Sequence, residues 1–421
     1  MRVLTFSWEF PPHHHSGLGK ACEGLAKALA DRNHQVTVVL PRIYGEERVG
    51  KIRLISLENG RDLTDVLKKN EILPPELKKR HPLAKPAFAI QEARAAGLLQ
   101  HRAADSHQYF GRNHSFGPEC FEEAIRFGER AHILANHPFD VIHCHDWLTI
   151  GAGLKLKAMT GKPLIFHVHS LESERSGSSG NHLIDELERR GLNDATKVVT
   201  VSHHAKRHLV SEYGLPEEKI WVIHNGVSKK EGEATYRVKT EVKAEKTVLF
   251  AGPFVFRKGP EYFVDAAALV IPHFRNVKFV MSGSGEKLDA MLRKVNEWHL
   301  GDYFHFTGFL DGDALERVFL EADLYVMPSV DDPFGFQPLE AIVCDTPVII
   351  SKQSGIAETL RHALAVDFWD VKKMAEYILA ILRYEPLARD LVQMAQRELH
   401  QLHWHASAEA FGKLLEQCQH H

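Results

Sequence analysis

Short apolar runs of about five residues recur along this chain, and segments with helical periodicity separate them. Buried strands of parallel sheets have this continuous apolar character because both of their faces are covered. The pattern therefore predicts an α/β fold built on parallel strands. The candidate strands are residues 3–6, 36–40, 141–142, 164–166 and 197–201 in the first half, and 247–251, 277–281, 303–306, 324–327 and 347–350 in the second.

The length of 421 residues indicates two domains, since a single core usually stops growing near ~250–300 residues. A polar stretch rich in Lys and Glu interrupts the pattern at 228–246 and is predicted to be the linker between two Rossmann-like domains that face each other across a cleft. Amphipathic patterning over 374–399 and 406–415 predicts helices near the end of the chain. The predicted divisions are an N-terminal domain at 1–227 with an insertion at about 59–135, a C-terminal domain at 247–402, and a helix at 403–421 that either returns to the first domain or packs in an ordinary core.

The composition excludes several classes of function. With 52 basic and 55 acidic residues, the net charge of -3 provides no basic field for nucleic acid or for an anionic membrane surface. No apolar stretch of ~20 residues predicts membrane insertion, and the first apolar segment is too short for a signal peptide, so we expect a cytoplasmic protein. The five cysteines are scattered, and His13-His14-His15 cannot all face one ion, so no metal site is predicted.

The strongest local chemical signal is the segment 331–341, which follows a predicted strand and opens the next helix. A helix start at the carboxyl end of a parallel strand favours an anion. Asp332 lies in the loop and can reach a sugar, whereas Glu340 lies in the helix and suits the paired hydroxyls of a ribose. The alternative is that both carboxylates only stabilise the helix dipole. The backbone amides expected to face a pyrophosphate are those of Gly335, Phe336 and Gln337.

This segment resembles the E-x7-E signature of retaining GT-B glycosyltransferases. Further motifs of that class occur along nearly the whole chain, and those near the start and at 145–147 resemble bacterial glycogen synthases of families four and five. The resemblance implies a GT-B fold with the nucleotide-sugar donor mainly on the second domain and the acceptor mainly on the first. The matching motifs are Glu9-Phe10-Pro11-Pro12, Gly17-Leu18-Gly19, His143-Cys144-His145-Asp146-Trp147, His167-Val168-His169, His224-Asn225-Gly226-Val227, Lys258-Gly259-Pro260-Glu261 and Ser282-Gly283-Ser284-Gly285.

The resemblance also implies roles for residues of the donor site. Lys258 is expected to neutralise the donor diphosphate, with a surface cation as the alternative, and Gly252 is expected in the strand-end turn beside it. Gly17 and Gly19 are expected to let backbone amides approach the diphosphate from the other side of the cleft. Glu340 is expected to hold the ribose, and Asp332 the sugar.

On the acceptor side, the resemblance places His169 near the transferring sugar and Asp146 in the cleft. Both follow predicted strands, where open α/β sheets bind ligands. The alternative for His169 is a buried core histidine. Residues 172–181, with Arg175, are predicted to form a mobile loop that orders over an acceptor or is plain flexible surface.

The chain departs from the family pattern at several positions. Asp332 stands where Glu is common, and Pro253 stands where an arginine usually follows Gly252, so we expect Arg257 to take over that charge. Ser16 replaces the first glycine of a Gly-Gly pair, and His14 replaces a lysine of many glycogen synthases.

We therefore predict a retaining glucosyltransferase that moves glucose from ADP-glucose or UDP-glucose to the non-reducing end of an α-1,4-glucan. No cofactor and no metal are expected, because lysine, arginine and backbone amides neutralise the diphosphate. The alternatives are transfer to a small-molecule or lipid-linked acceptor, a nucleotide-sugar 2-epimerase, and a sugar-nucleotide or glucan sensor without turnover.

Overall fold

The computed structural model describes residues 1–10, 17–42, 48–57, 118–176, 180–227, 245–310 and 312–419. Most of the predicted insertion at 59–135, nearly all of the predicted linker, and His13 to Ser16 lie outside these residues. The described chain forms two sheets of predominantly parallel strands, which makes it an α/β fold with two Rossmann-like halves.

The first sheet has eight strands in the order β3-β4-β2-β1-β5-β6-β7-β8. All neighbours are parallel except the short β3, which pairs antiparallel with β4. The strands are β1 (Arg2–Phe6), β2 (Gln35–Leu40), β3 (Arg48–Val49), β4 (Ile52–Ser56), β5 (Val141–His145), β6 (Leu164–Val168), β7 (Lys197–Thr200) and β8 (Ile220–Val222). The α-helices are α1 (Gly17–Asp31), α2 (Pro118–Arg130), α3 (Trp147–Thr160), α4 (Glu172–Ser176), α5 (His182–Asp194) and α6 (His203–Tyr213).

The middle of this sheet is covered on both faces, as its apolar strands require. β5 and β6 are buried at every residue. Helix α3 approaches them closely because Gly153 has no side chain: a Cβ there would lie 2.4 Å from the Sγ of Cys144. This close packing fixes the position of α3 against β5, and the predicted site residue Asp146 lies between the two.

The second sheet has six parallel strands in the order β11-β10-β9-β12-β13-β14. Its core contains Phe250, Phe263 and Phe279, packed in edge and tilted ring contacts. The strands are β9 (Lys246–Ala251), β10 (Val277–Ser282), β11 (Phe304–Gly308), β12 (Leu324–Met327), β13 (Val348–Ser351) and β14 (Leu364–Val366). The α-helices are α7 (Pro260–Val270), α8 (Leu288–Glu297), α9 (Gly312–Glu321), α10 (Gln337–Val343), α11 (Val371–Arg383) and α12 (Glu385–Leu399).

Two sequence expectations are corrected here. The amphipathic segment predicted over 374–399 is broken: α11 ends at Arg383 and α12 begins at Glu385. Pro386 lies in the first turn of α12, a position where its missing N–H is tolerated, whereas within a continuous helix it would clash. The predicted strand at 141–142 extends to His145, because histidines continue the buried strand where only apolar residues were expected.

The chain ends in helix α13 (Trp404–Cys418), which packs on α1 and on the first sheet. The passage to it is tight: the N–H of Val227 donates to the carbonyl of Leu402 at 2.8 Å, and a Cβ on Gly226 would lie 2.3 Å from the backbone nitrogen of Trp404. The end of the chain is thus held against the first half. In the part of the chain that the structure describes, no helix has both the length and the apolar content needed to cross a bilayer.

Candidate active site

Asp146 follows β5 directly and organises the neighbouring strand end. Its backbone has φ 56°, a left-handed conformation that costs free energy in a residue other than glycine. The carboxylate Oδ1 accepts from the N–H of His169 at 2.7 Å and from that of Ser170 at 3.4 Å. Asp146 is therefore a support for the turn after β6, with its side chain 6% exposed.

His169 lies in that turn, at the carboxyl end of β6. Its Nε2 is 2.8 Å from the Nδ1 of His145, and its backbone is held by Asp146. Burial lowers the pKa of His169, and the carboxylate of Asp146 opposes this shift only in part. The imidazole is consequently neutral near pH 7 and is fixed by a neighbouring ring.

The segment after His169 corrects the prediction of a mobile loop at 172–181. Residues 172–176 form helix α4, and Arg175 is only 12% exposed. The guanidinium of Arg175 lies 2.8 Å from Oε1 of Glu188 and 3.2 Å from Oε2 of Glu172. Buried carboxylates need such a counter-charge, so the structure gives Arg175 a role within the fold. Residues 177–179 lie outside the described part of the chain.

Glycines let the loops after β9 and β10 of the second sheet pack backbone on backbone. A Cβ on Gly283 would lie 1.9 Å from the carbonyl oxygen of Gly252, and one on Gly285 would lie 2.6 Å from that of Phe254. Gly252 itself has φ 149°. The turn after β9 thus needs glycine at position 252 for its backbone conformation. The side of Gly252 on which a Cβ would stand is open space.

Lys258 and Asp332 form a buried ion pair beside this turn. The Nζ of Lys258 lies 2.5 Å from Oδ2 of Asp332, and the two side chains are 10% and 7% exposed. Burial lowers the pKa of Lys258, although Asp332 raises it. Burial alone would raise the pKa of Asp332, but Lys258 and Arg257 together bring it below its usual value. The carboxylate is therefore charged at neutral pH.

The loop that carries Asp332 is anchored to the segment after β13. The N–H of Asp332 donates to the carbonyl of Gln353 at 3.1 Å, and the carbonyl of Asp332 accepts from the N–H of Gly355 at 2.9 Å. The chain then turns at Gly335, which has φ 97°, and enters the short helix α10. These contacts hold the backbone of Asp332 at the start of the segment that leads to Glu340.

Residues of the first half contact this segment. The Nζ of Lys20, on α1, pairs with Oε1 of Glu340. A Cβ on Gly17 would lie 3.2 Å from the ring of Phe336, so the start of α1 lies against the start of α10. The structure therefore brings the predicted Gly17 turn and the predicted ribose carboxylate to one place.

The sequence of this chain matches two models of known protein families. A family model described as Glycosyltransferase Family 4 matches residues 15–231, which is half of the chain, and one described as Glycosyl transferases group 1 matches residues 233–398. The chain belongs to the GT-B glycosyltransferases.

Individual relatives agree with this assignment. A glycogen synthase of Mycobacterium tuberculosis is 24% identical over 368 residues, which is 86% of this chain and 80% of that protein. Sucrose-phosphate synthase from Thermosynechococcus elongatus superimposes with a TM-score of 0.72 at 22% identity, covering 99% and 98% of the two chains. A structure of HepE from Anabaena in complex with UDP-glucose has a TM-score of 0.65 at 16% identity, with 99% and 100% covered. The solved structures show the shared GT-B fold.

Arg257 of this glycosyltransferase lies close to residues of both halves. Its carbonyl accepts from the N–H groups of Val330 and Asp331 at 2.8 and 3.3 Å. Its charge acts on Asp332, on Lys258 and on Glu174, which lies in α4 on the first half. Pro253 leaves the strand-end turn without its usual arginine, and the guanidinium of Arg257 acts on the Lys258–Asp332 pair.

The residues that join the halves of the glycosyltransferase were not predicted from the sequence. The Oγ of Ser202 donates to Pro333 O at 2.5 Å, and the Nε2 of His204 lies 2.6 Å from Oδ1 of Asp331. The N–H of His203 donates to Oε2 of Glu358 at 2.8 Å. The contact with Glu358 caps the start of α6 with a carboxylate from the other half. A serine before a helix predicts a cap, but nothing in the local sequence indicates that Ser202 also contacts Pro333, 131 residues away.

A cluster of histidines was also missed as a unit. His143 and His145 on β5 register with residues 165 and 167 on β6, so four rings share one face of the sheet. The ring centroids of neighbours lie 4.3–5.5 Å apart. The signal was present as two His-x-His pairs on adjacent strands, because strand side chains alternate with a period of two. The members are His143, His145, His167 and His169.

Proposed function

We propose that this glycosyltransferase transfers glucose, with retention of anomeric configuration, from ADP-glucose or UDP-glucose to the non-reducing end of an α-1,4-glucan. The observation that carries this proposal is the buried Lys258–Asp332 pair, with Asp332 on the anchored loop that leads into the helix of Glu340. A glucan acceptor is supported by the relationship to a glycogen synthase over most of both chains.

The ion pair has the chemistry of a donor site that is ready for an anion. In the free protein, Asp332 supplies the negative charge that the buried ammonium of Lys258 requires. A nucleoside diphosphate brings its own negative charge to Lys258. Asp332 is then free to accept hydrogen bonds from hydroxyl groups of the sugar. The HepE protein, which has the same fold and was solved in complex with UDP-glucose, supports a donor of this class.

The ribose and base belong near Glu340. This carboxylate is partly exposed and paired with Lys20, an arrangement that typically contributes only ~0–1 kcal/mol. Ribose hydroxyls can therefore replace the ammonium at little cost. The start of α1 at Gly17 lies against Phe336, and we assign to Gly17 and Gly19 the approach of backbone amides to the diphosphate from that side.

Chemistry at the sugar follows from this placement. The bond between C1 of glucose and the diphosphate oxygen breaks, the acceptor hydroxyl forms its bond to C1 on the same face, and its proton passes to the departing diphosphate. Lys258 and Arg257 stabilise the charge that develops on the leaving group. We assign to His169, which is neutral and held by Asp146, the orientation of the sugar hydroxyls. No metal is required for these steps.

The experiment measures two products together. Purified protein is incubated with glycogen and either ADP-glucose or UDP-glucose, and nucleoside diphosphate release is followed alongside glucose incorporated into polymer. We expect equal amounts of both products with one donor, in the presence of EDTA, and α-1,4 linkages in the polymer. Release without incorporation would overturn the glucan acceptor and favour the small-molecule or lipid-linked alternative.

Variants separate turnover from binding. Asp332→Asn is expected to lower kcat by about 10²-fold, the usual effect of losing one group that stabilises a transition state. The matched control is Asp367→Asn, which removes a carboxylate from a pair with Lys352 on the same half. Nucleotide binding without any release in the wild-type protein would favour a sensor, and conversion of the donor without an acceptor would favour an epimerase.

A further inference from the structure

Three of the clustered histidines come close enough to share one ion. Each of His143, His145 and His167 offers a ring nitrogen within 4.8 Å of those of the other two. All three side chains are at most 2% exposed. Two lie on β5 and one on β6, so the sheet itself holds their positions.

Two ring nitrogens of this cluster are not engaged by other groups of the described chain. Among the described residues, neither the Nε2 of His145 nor the Nε2 of His167 has a hydrogen-bond partner, although both atoms are buried. A buried polar nitrogen without a partner is rare in folded proteins and calls for an explanation. The other ring nitrogens are occupied: Nδ1 of His167 lies 3.3 Å from His143, and Nδ1 of His145 lies 2.8 Å from His169.

We propose that His143, His145 and His167 form a binding site for a divalent transition metal ion, of which Zn²⁺ is the probe. Three imidazoles are a donor set that suits zinc and its neighbours rather than magnesium or calcium. The ion takes no part in the proposed transfer, which needs no metal; it lies behind His169, whose ring contacts His145, and it serves the fold.

The distances require an adjustment of the rings. A Zn–N bond is ~2.0–2.1 Å, so two ligand nitrogens of one tetrahedral ion lie ~3.4 Å apart. The widest pair in the cluster, at up to 4.8 Å, therefore has to close by ~1.4 Å. Rotation of the rings about their side-chain bonds has to supply this movement.

The ion would tie together the layers around the first sheet. The ring of Phe411, on α13, lies 4.6 Å from that of His143 and 6.5 Å from that of His167. The hydroxyl of Thr5, on β1, lies 3.4 Å from Nδ1 of His143. A bound ion therefore fixes β5 and β6 beneath the C-terminal helix and stabilises the folded protein in proportion to its affinity.

The test uses tag-free, full-length protein. After dialysis with one equivalent of Zn²⁺ and then against metal-free buffer, metal content is measured by mass spectrometry, and Co²⁺ is bound in parallel for its visible spectrum. We expect about one equivalent of zinc, the intense absorption of four-coordinate cobalt, and a higher Tm with zinc. His167→Gln should lose all three.

Two further variants control for other histidines among the 28 in the chain. His208→Gln changes a partly buried histidine on α6 that contacts Ser173, and it should retain the metal. Replacement of His13, His14 and His15 by alanine should also retain it. Loss of binding in that triple variant, binding that survives His167→Gln, or no retained metal would each overturn the proposal. If His167→Gln fails to fold, the cobalt spectrum of the wild-type protein decides, since a weak six-coordinate spectrum contradicts the site.

Discussion

The Nζ of Lys258 and the Oδ2 of Asp332 lie 2.5 Å apart in a place where both side chains are almost fully buried. Each residue is the other's counter-charge, with Arg257 adding a second positive charge near Asp332. A buried pair of this kind contributes little net stability by itself, but removal of one partner typically costs ~3–5 kcal/mol. The free protein therefore keeps a charged lysine ready for a diphosphate.

The first prediction concerns the charge of Lys258. In Asp332→Asn, burial continues to lower the pKa of Lys258 and the group that raises it is gone. Binding of a nucleoside diphosphate should therefore weaken as pH rises in both proteins, and the weakening should begin at a lower pH in the variant than in the wild-type protein. Titration calorimetry across the range from about pH 6 to about pH 9 measures this, because the usual lysine pKa lies just above that range. Identical pH profiles in the two proteins would contradict it.

Arg257 is predicted to supply the charge that Pro253 cannot. Arg257→Gln should lower kcat by about 10²-fold, because a cation near the leaving diphosphate acts mainly in the transition state. Arg389→Gln, which changes an exposed arginine in a pair with Glu385, is the control and should have no effect. Introducing Pro253→Arg into Arg257→Gln should restore part of the rate; unchanged kcat in Arg257→Gln would show that another group acts.

Lys20 and Glu340 are predicted to have opposite effects on donor affinity. Glu340→Gln removes the proposed ribose acceptor and should raise the Kd for the nucleotide about tenfold, as expected for a hydrogen bond to a charged group. Lys20→Gln removes a competitor and should lower the Kd by up to about fivefold, the limit for an exposed pair. Nucleotide binding measured by calorimetry tests both; equal weakening in the two variants would refute the competition.

Gly226 is predicted to be required for the return of the chain to the first half. A Cβ there would lie 2.3 Å from the backbone nitrogen of Trp404, and backbone cannot move aside as a side chain can. Gly226→Ala should lower the free energy of unfolding by ~1–3 kcal/mol or more. Gly301→Ala, with nothing within 4 Å of the new Cβ, is the control and should change it by less than ~0.5 kcal/mol.

Glu174 is predicted to make stability depend on pH. Burial raises the pKa of Glu174 to about 8, so the folded protein holds a proton there that the unfolded chain releases near the usual glutamate pKa of 4.5. The folded state binds more protons between these values, and its stability should fall as pH rises from about 5 to about 8. Glu174→Gln keeps an acceptor for the N–H of Leu171 and should flatten this decline in chemical denaturation experiments.

Local patterns predicted much of the architecture. The apolar runs marked most strands of both sheets. The E-x7-E resemblance marked Asp332 and Glu340 as a pair, because their spacing along the chain places them on one loop and the helix it enters. The position of Arg175 was not predictable in this way, since its partner Glu188 belongs to another helix.

By itself, the sequence determined the parallel α/β pattern, the family and the residue types of the donor loop, because each of these depends on neighbours within about ten residues. The tertiary structure alone decided which groups meet across the fold. The pairing of Lys20 with Glu340, the capping of α6 by Glu358 and the gathering of histidines under Phe411 all join segments far apart in the chain. Such contacts depend on how sheets and helices pack, and the one-dimensional pattern of a strand or helix specifies only which face is buried.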